Sequence, residues 1–147
     1  MTEQNNPFHK KKSGVFFFKS SNPYEFYDLL NGIDMEPKQD VWGTLIFPEN
    51  AKLPCPVIVP IHGSAGLREG HHTHMVNLLE AGFAVFRIHH FESRGVISIV
   101  ENQTQVTLAT MITDAFRALA LLNKHPDIDK NKIGIMGWSL GGSTALY

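Results

Sequence analysis

Residues 132–147 read KIGIMGWSLGGSTALY, a short apolar run followed by a serine framed by glycines. Gly137-Trp-Ser-Leu-Gly141 fits the pattern G-x-S-x-G and stands between a predicted strand, Lys132–Met136, and a small-residue helix start. A sharp strand-to-helix turn forces such a serine into strained backbone angles and presents its hydroxyl above a sheet. The pattern therefore predicts that Ser139 is a nucleophile. The alternative is a glycine-rich turn with a structural serine.

Upstream of this turn, strand and helix patterns alternate. Pro54–Ile61 and Phe83–Ile88 are nearly continuous apolar runs, which are typical of strands buried on both faces. His72–Ala81 and residues 104–123 carry apolar residues at helical spacing. Because strands and helices alternate from residue 55 onward, we predict an α/β fold with a mostly parallel sheet flanked by helices.

The first third of the chain has a different pattern. Val15–Lys19 and Val41–Phe47 are β-rich and are separated by turn-forming residues that include Asn31-Gly32, which predicts antiparallel N-terminal strands. Residues 1–13 are polar and basic, with no apolar periodicity, and are expected to form a mobile tail. The predicted domain therefore covers residues 14–147.

A second small-residue loop, His62-Gly-Ser-Ala-Gly66, follows the first buried strand. In parallel sheets the functional site lies beyond the carboxyl ends of the strands, so this loop and the Ser139 turn are expected to meet. Acyl transfer builds negative charge on a carbonyl oxygen, and backbone N–H groups aimed at that oxygen stabilise it. We predict that the amides of Ser64 and Leu140 form this oxyanion hole. A tight connecting turn is the alternative for the loop.

The composition excludes several classes of protein. Hydrophobic residues make up 43% and charged residues 18% of the 147, as in an ordinary globular domain. The net charge of −1 gives no reason to expect nucleic acid or an anionic membrane as a partner. The N-terminus lacks the apolar run of a secretory signal or a membrane span, so a cytoplasmic location is expected. The single cysteine, Cys55, is expected to be a small buried hydrophobe.

The histidines do not form a recognisable metal-ligand pattern. His71, His72 and His74 are clustered, but only the first and last of them share a helical face, and His89-His90 end a strand. No carboxylate or cysteine at suitable spacing completes a ligand set. We therefore predict neither a metal site nor a cofactor.

Three segments carry a family resemblance: IVPIHGSAG, FAVFRIHHFESRGV and DAFRALALLNKHPDIDKNKIGIMGWSLGG. They resemble the α/β-hydrolase superfamily, and most of all the dienelactone hydrolase family, over roughly residues 40–147. The resemblance implies an α/β-hydrolase fold, present here only in part, and hydrolysis of a small-molecule ester or lactone through a covalent acyl-enzyme. The founding dienelactone hydrolases carry cysteine as the nucleophile, whereas this chain has Ser139, so their substrate is not transferred.

In this fold the catalytic acid and histidine follow the nucleophile along the chain. The sequence ends eight residues after Ser139 and contains neither partner in that stretch. We therefore expect this chain alone to be inactive. Two alternatives stay open for the whole protein: a serine peptidase of the same superfamily, and a non-catalytic binding module with the same fold.

Arg94 lies in the loop after the predicted strand Phe83–Ile88, on the expected site face. A guanidinium there can bind a substrate carboxylate, as the resemblance hints. The alternative is that Arg94 pins the carbonyl groups of its own loop.

Overall fold

A computed structural model describes residues 13–147. Its sheet contains five strands within that range: β1 (Gly14–Ser20), β2 (Gln39–Ile46), β3 (Cys55–Ile61), β4 (Ala84–Ile88) and β5 (Ile128–Gly137). The helices of the described residues are α1 (Phe26–Asn31), α2 (Glu69–Glu80), α3 (Leu108–Leu122) and α4 (Leu140–Leu146), with a 3₁₀ turn at Glu92–Arg94.

The strands lie in the order β1-β2-β4-β3-β5. β1 is antiparallel to β2, and β2 is antiparallel to β4. β3 lies parallel to both of its neighbours, β4 and β5. The predicted α/β class and the antiparallel N-terminal strands are thus confirmed, in a mixed sheet with two parallel and two antiparallel pairings.

The topology creates a crevice at the carboxyl ends of the parallel strands. From β3 the chain passes through α2 to β4 on one side, and from β4 it passes through α3 to β5 on the other side of β3. Since such crossovers are right-handed, α2 and α3 cover opposite faces of the sheet. α4 packs beside α3. The loops after β3 and β5 therefore leave neighbouring strands toward opposite faces of the sheet. Open α/β sheets bind ligands in the crevice between two such loops.

The helix α3 is held by its apolar face and by its first turn. Met111, Ala118 and Leu122 are buried in the same cluster as the sheet residues Phe16 and Phe86. The helix begins after Thr107, whose hydroxyl accepts a hydrogen bond from the Thr110 amide at 3.1 Å. This cap satisfies one of the backbone donors that a helix leaves unpaired at its start.

The short helix α1 lies where the sequence predicted only a turn between β1 and β2. Its first turn is closed by Asp28, whose carboxylate accepts the amides of Tyr24 and Glu25 at 3.0 and 3.2 Å. Gly32 then ends the helix with a φ of 71°. Phe26, Leu29 and Leu30 have helical spacing, but they cover a single turn and none of them is buried, so this pattern is too short to indicate a helix.

Residues 1–12, which include most of the predicted tail, lie outside the described residues. Ser13, the last residue assigned to that tail, accepts a hydrogen bond from the Phe47 amide at 3.1 Å. Cys55 is fully buried, as predicted. None of the helices within residues 13–147 combines the length and the apolar character needed to cross a membrane.

Candidate active site

The turn between β5 and α4 holds Ser139 in a strained conformation. Its backbone angles are φ 52° and ψ −120°, and its side chain is exposed. A non-glycine residue in such a region costs about 1–3 kcal/mol and persists only where the surroundings impose it. Here the Trp138 amide donates to the carbonyl of Ile61 at 3.1 Å and the Ser143 amide donates to that of Ser139 at 3.1 Å, so the turn is fixed on both sides. This geometry presents a serine hydroxyl at the end of the sheet.

Close packing explains the two glycines that frame this serine. A side-chain carbon at Gly137 would overlap the carbonyl group of Gly141, and one at Gly141 would overlap the carbonyl of Ile61. The backbone of α4 thus passes against the ends of β5 and β3 with no room for a Cβ. The turn is sharp because neither position carries a side chain.

The loop after β3 meets this turn. A Cβ placed on Gly63 would lie 3.2 Å from Ser139 Cβ and 3.8 Å from Ser139 Oγ. The Gly66 amide donates to the Gly63 carbonyl at 3.0 Å, which closes a tight turn around Ser64. The structure therefore brings the residue next to Ser64 to the serine, and Leu140 follows Ser139 directly at the start of α4. The assignment of the Ser64 and Leu140 amides as oxyanion donors stays a prediction.

His62 opens this loop and is buried, with 2% of its surface exposed. Its Nδ1 lies 2.9 Å from the Gly63 carbonyl oxygen, which can only accept, so the ring proton sits on Nδ1. Burial, together with the neighbouring His90, lowers the pKa of His62 to about 4. The ring is therefore neutral at pH 7 and bonded to its own loop.

A buried ionic network lies behind the loop. The guanidinium of Arg94 donates to both carboxylate oxygens of Asp114, at 2.8 and 2.9 Å, and to the carbonyl of His90 at 2.8 Å. His90 Nδ1 and the Ser20 hydroxyl also donate to that carboxylate, at 2.8 and 2.5 Å. Burial opposes ionisation, but the hydrogen bonds from His90 and Arg94 hold the pKa of Asp114 below its ordinary value.

The contacts in this network concern the two interpretations of Arg94, which are substrate binding and pinning of its own loop. All three nitrogens of the guanidinium donate to partners within the chain, and only 7% of the side chain is exposed. The contact with the His90 carbonyl matches the reading in which Arg94 pins its loop. The substrate-binding role of Arg94 stays a prediction.

Sequence reasoning missed the partner of Arg94. Asp114 is a charged residue on the buried face of α3, between the apolar Met111 and Ala115. A buried carboxylate requires a cationic or hydrogen-bonding partner, so the position of Asp114 on this face predicts that such a partner exists. The spacing of residues along the chain does not identify Arg94, twenty residues earlier, as that partner.

The histidines at the start of α2 pack beside the Ser139 turn. His71 stacks on Trp138, with ring centroids 4.2 Å apart, and His74 lies 5.8 Å from the same ring. The Arg68 amide donates to His71 Nδ1 at 3.1 Å. Burial, followed by the neighbouring His74, lowers the pKa of His71. Within residues 13–147 no three His, Cys, Asp or Glu side chains lie close enough together to hold a metal ion.

An open groove of about 360 Å³ adjoins the loop 62–66. Its lining includes Gly66, Arg68 and Ile97. Arg87 and Glu92 also line it and pair with each other at 2.9 Å. The hydrogen bond with His89, and the charge of Arg87, lower the pKa of Glu92 to about 2. The groove is large enough for a small-molecule substituent.

Solved structures share this fold. A putative dienelactone hydrolase from Klebsiella pneumoniae is 15% identical, with a TM-score of 0.58, over 85% of this chain and 50% of that one. The dienelactone hydrolase from Anabaena variabilis is 20% identical, with a TM-score of 0.60, over 90% of this chain and 56% of that one. Est1E from Butyrivibrio proteoclasticus, with ferulic acid bound, is 24% identical, with a TM-score of 0.57, over 71% of this chain and 41% of that one.

This chain thus spans about half the length of the dienelactone hydrolase structures it resembles. No curated protein matches it in sequence. The structural similarity identifies an α/β-hydrolase fold, of which this chain forms a part, in agreement with the resemblance seen in the sequence. The model of the BD-FAE family matches residues 44–147, which include the loop 62–66 and the Ser139 turn. The chain therefore belongs to the BD-FAE family.

Proposed function

We propose that the full-length protein hydrolyses a carboxylic ester or lactone through an acyl-enzyme on Ser139. The observation that carries the proposal is the strained φ of 52° at an exposed serine, on a turn that meets the glycine loop after a neighbouring parallel strand. Strain of this kind is retained where it serves a site. A serine that serves only to connect β5 and α4 needs neither a strained backbone nor an exposed side chain.

The reaction follows from this arrangement. Ser139 Oγ attacks the carbonyl carbon while a base accepts its proton, and the amides of Ser64 and Leu140 hold the oxyanion. The bond from the carbonyl carbon to the leaving oxygen then breaks, and that oxygen takes the proton from the base. Water, deprotonated by the same base, attacks the acyl-enzyme and releases the carboxylic acid and Ser139. No step requires a metal or a cofactor.

The base and its acid come from residues beyond Tyr147 in this proposal. Residues 140–147 contain no Asp, Glu or His, and in this fold both partners follow the nucleophile. His62 is an upstream candidate because it precedes Gly63, which packs against Ser139. Its Nδ1 faces a backbone carbonyl rather than a carboxylate, and its ring is buried, so it lacks the orienting acid that a catalytic histidine needs.

The groove beside the loop 62–66 supports a small-molecule substrate. Its volume of about 360 Å³ suits the acyl or alcohol part of a small ester. Est1E, whose fold is similar, is described with ferulic acid bound, and an aromatic carboxylic acid is a product that an ester hydrolase releases. A peptidase of the same superfamily would use the same nucleophile on an amide.

A fluorophosphonate probe tests the proposal because it labels only an activated serine. We expect the full-length protein to be labelled at Ser139 and to hydrolyse a short-chain p-nitrophenyl ester. The matched control is Ser143→Ala, four residues further along α4, which should keep both properties. Turnover of peptide amides but not of esters would favour the peptidase, and a folded protein that resists labelling would favour the non-catalytic binding module.

A further inference from the structure

We propose that Asp114, which lies on α3 outside the catalytic machinery described above, is a positioning residue for the oxyanion loop 62–66. The catalytic consequence of this inference rests on the proposed function. The structural part, that the Asp114 carboxylate holds the loop in place, stands on contacts alone.

The Asp114 carboxylate is fully buried and joins three parts of the chain. Ser20 at the end of β1, His90 just after β4, and Arg94 in the following 3₁₀ turn all donate to it. Removing a carboxylate from water is unfavourable unless partners of this quality surround it. The four contacts therefore fix those segments to α3, and removal of the charge releases all of them together.

One route from Asp114 to the loop runs through two histidine rings. His90 is held by its Nδ1 bond to Asp114, and it packs edge-to-face against His62 with centroids 5.6 Å apart. His62 in turn bonds to Gly63, the residue that contacts Ser139. Within residues 13–147 the Nε2 atoms of both rings are buried without a hydrogen-bond partner. Each ring therefore depends on a single side-chain hydrogen bond, and for His90 the acceptor is Asp114.

The second route runs through the backbone of the loop after β4. Arg94, fixed on Asp114, donates to the His90 carbonyl, and its amide donates to the Phe91 carbonyl at 2.9 Å. The same loop returns at Ile99, whose amide donates to the Ser64 carbonyl at 2.8 Å. Phe91 also packs edge-to-face on His62, with centroids 4.4 Å apart. The first route thus ends on Gly63, beside the proposed oxyanion donor, and the second ends on the carbonyl of Ser64 itself.

The loop needs this support because its own residues are small. Gly63, Ala65 and Gly66 offer little side-chain packing to hold the Ser64 amide in place. A displacement of about 1 Å in a catalytic group can lower turnover roughly 100-fold. The buried network holds the loop against such a displacement from a distance, without touching the substrate.

The test compares Asp114→Asn with the matched control Thr113→Val in the full-length protein. Thr113 is the adjacent residue on α3 and is buried, and its hydroxyl donates to the Ala109 carbonyl of its own helix. Hydrogen exchange of the Ile99 amide is measured against amides of the β3 core, which report global opening. We expect the Ile99 amide to exchange at least tenfold faster in Asp114→Asn and at the wild-type rate in Thr113→Val.

Ester kinetics supply the second readout. In Asp114→Asn we expect kcat to fall by about 10- to 100-fold with KM changed less than threefold, because a displaced donor weakens transition-state binding. If Asp114→Asn fails to fold, His90→Phe keeps a ring against His62 and removes both ring nitrogens, of which Nδ1 is the one that bonds to Asp114. It should then raise Ile99 exchange and lower kcat in the same directions.

Wild-type exchange at Ile99 in a folded variant, equal acceleration in Thr113→Val, or a rise in KM with kcat unchanged would each overturn the inference. Failure of the proposed function is a separate result. In that case the wild-type protein is neither labelled at Ser139 nor active, and the exchange of Ile99 alone decides whether Asp114 positions the loop.

Discussion

At the scale of single residues, Ser139 combines a strained backbone with an exposed side chain. We expect Ser139→Ala in the full-length protein to lower ester turnover by at least about a thousandfold, because removal of a nucleophile leaves only binding and oxyanion stabilisation. Alanine has a Cβ, as serine does, and its backbone strain at φ 52° is similar. The free energy of unfolding should therefore stay close to that of the wild type. Steady-state kinetics and denaturant titration measure both, and retention of most activity would disprove the assignment.

His62 gives the site a defined pH dependence of stability. Its pKa is about 4 in the folded chain and about 6.5 when unfolded, so the unfolded state binds more protons between these values. The stabilisation is present above about pH 6.5 and is lost as the pH falls toward 4, by up to about 3 kcal/mol. In His62→Asn, whose side-chain amide can still donate to Gly63, the free energy of unfolding should fall less between pH 7 and pH 4.5.

The control for that measurement is His72→Asn, because His72 is exposed on α2. It should retain the full pH dependence of the wild type. An identical slope in His62→Asn and the wild type would show that other groups cause the acid sensitivity.

The limits of sequence reasoning are visible at these same residues. The Ser139 turn was predictable because a local pattern, glycines two before and two after the serine, reflects a local steric demand. The bonding of Arg94 was not predictable, because its partner Asp114 and the carbonyl it pins are brought to it by the packing of α3 against the sheet. The spacing of residues along the chain does not predict such a contact.

At the scale of secondary-structure elements, Gly43 and Gly70 can be compared, because an added Cβ meets the core at the first and open space at the second. Gly43 lies in β2, and a Cβ there would overlap the ring of Phe86, which is fully buried. Gly43→Ala should therefore destabilise the chain by about 1–3 kcal/mol, because a packed core cannot absorb the added carbon without strain. Gly70 lies in α2 with no atom near its would-be Cβ, so Gly70→Ala should stabilise by about 0.5–1 kcal/mol. Thermal unfolding of both variants measures the difference, and a shift of the same sign in both would contradict it.

The elements themselves were predicted to unequal degrees. The buried strands and α3 were found because long apolar runs and helical spacing report burial directly. The helix α2 begins at Glu69 rather than His72, since its first turn carries no apolar residue to mark it. The short helix α1 was missed for the related reason that all of its side chains are at least partly exposed.

At the scale of the whole molecule, residues 1–147 alone should not catalyse ester hydrolysis. β5 pairs only with β3 within the described residues, and its Ile133 and Ile135 are partly buried along that edge. An apolar edge strand promotes association, and residues 140–147 supply no catalytic acid or histidine. Light scattering and a p-nitrophenyl ester assay on the expressed chain test both points. Multiple turnover that depends on Ser139, from a monodisperse sample, would show that a base exists within this segment.

The absence of any Cβ at Gly137 and Gly141 sets a boundary for protein engineering. Saturation libraries at these two positions should return glycine alone among active clones, because every other amino acid overlaps the backbone of the facing segment. Arg68 and Ile97 have exposed side chains in the lining of the groove, so they are the better positions at which to alter the substrate preference proposed for the full-length protein. Gly137 and Gly141 are therefore closed to substitution, whereas the exposed residues that line the groove are open to it.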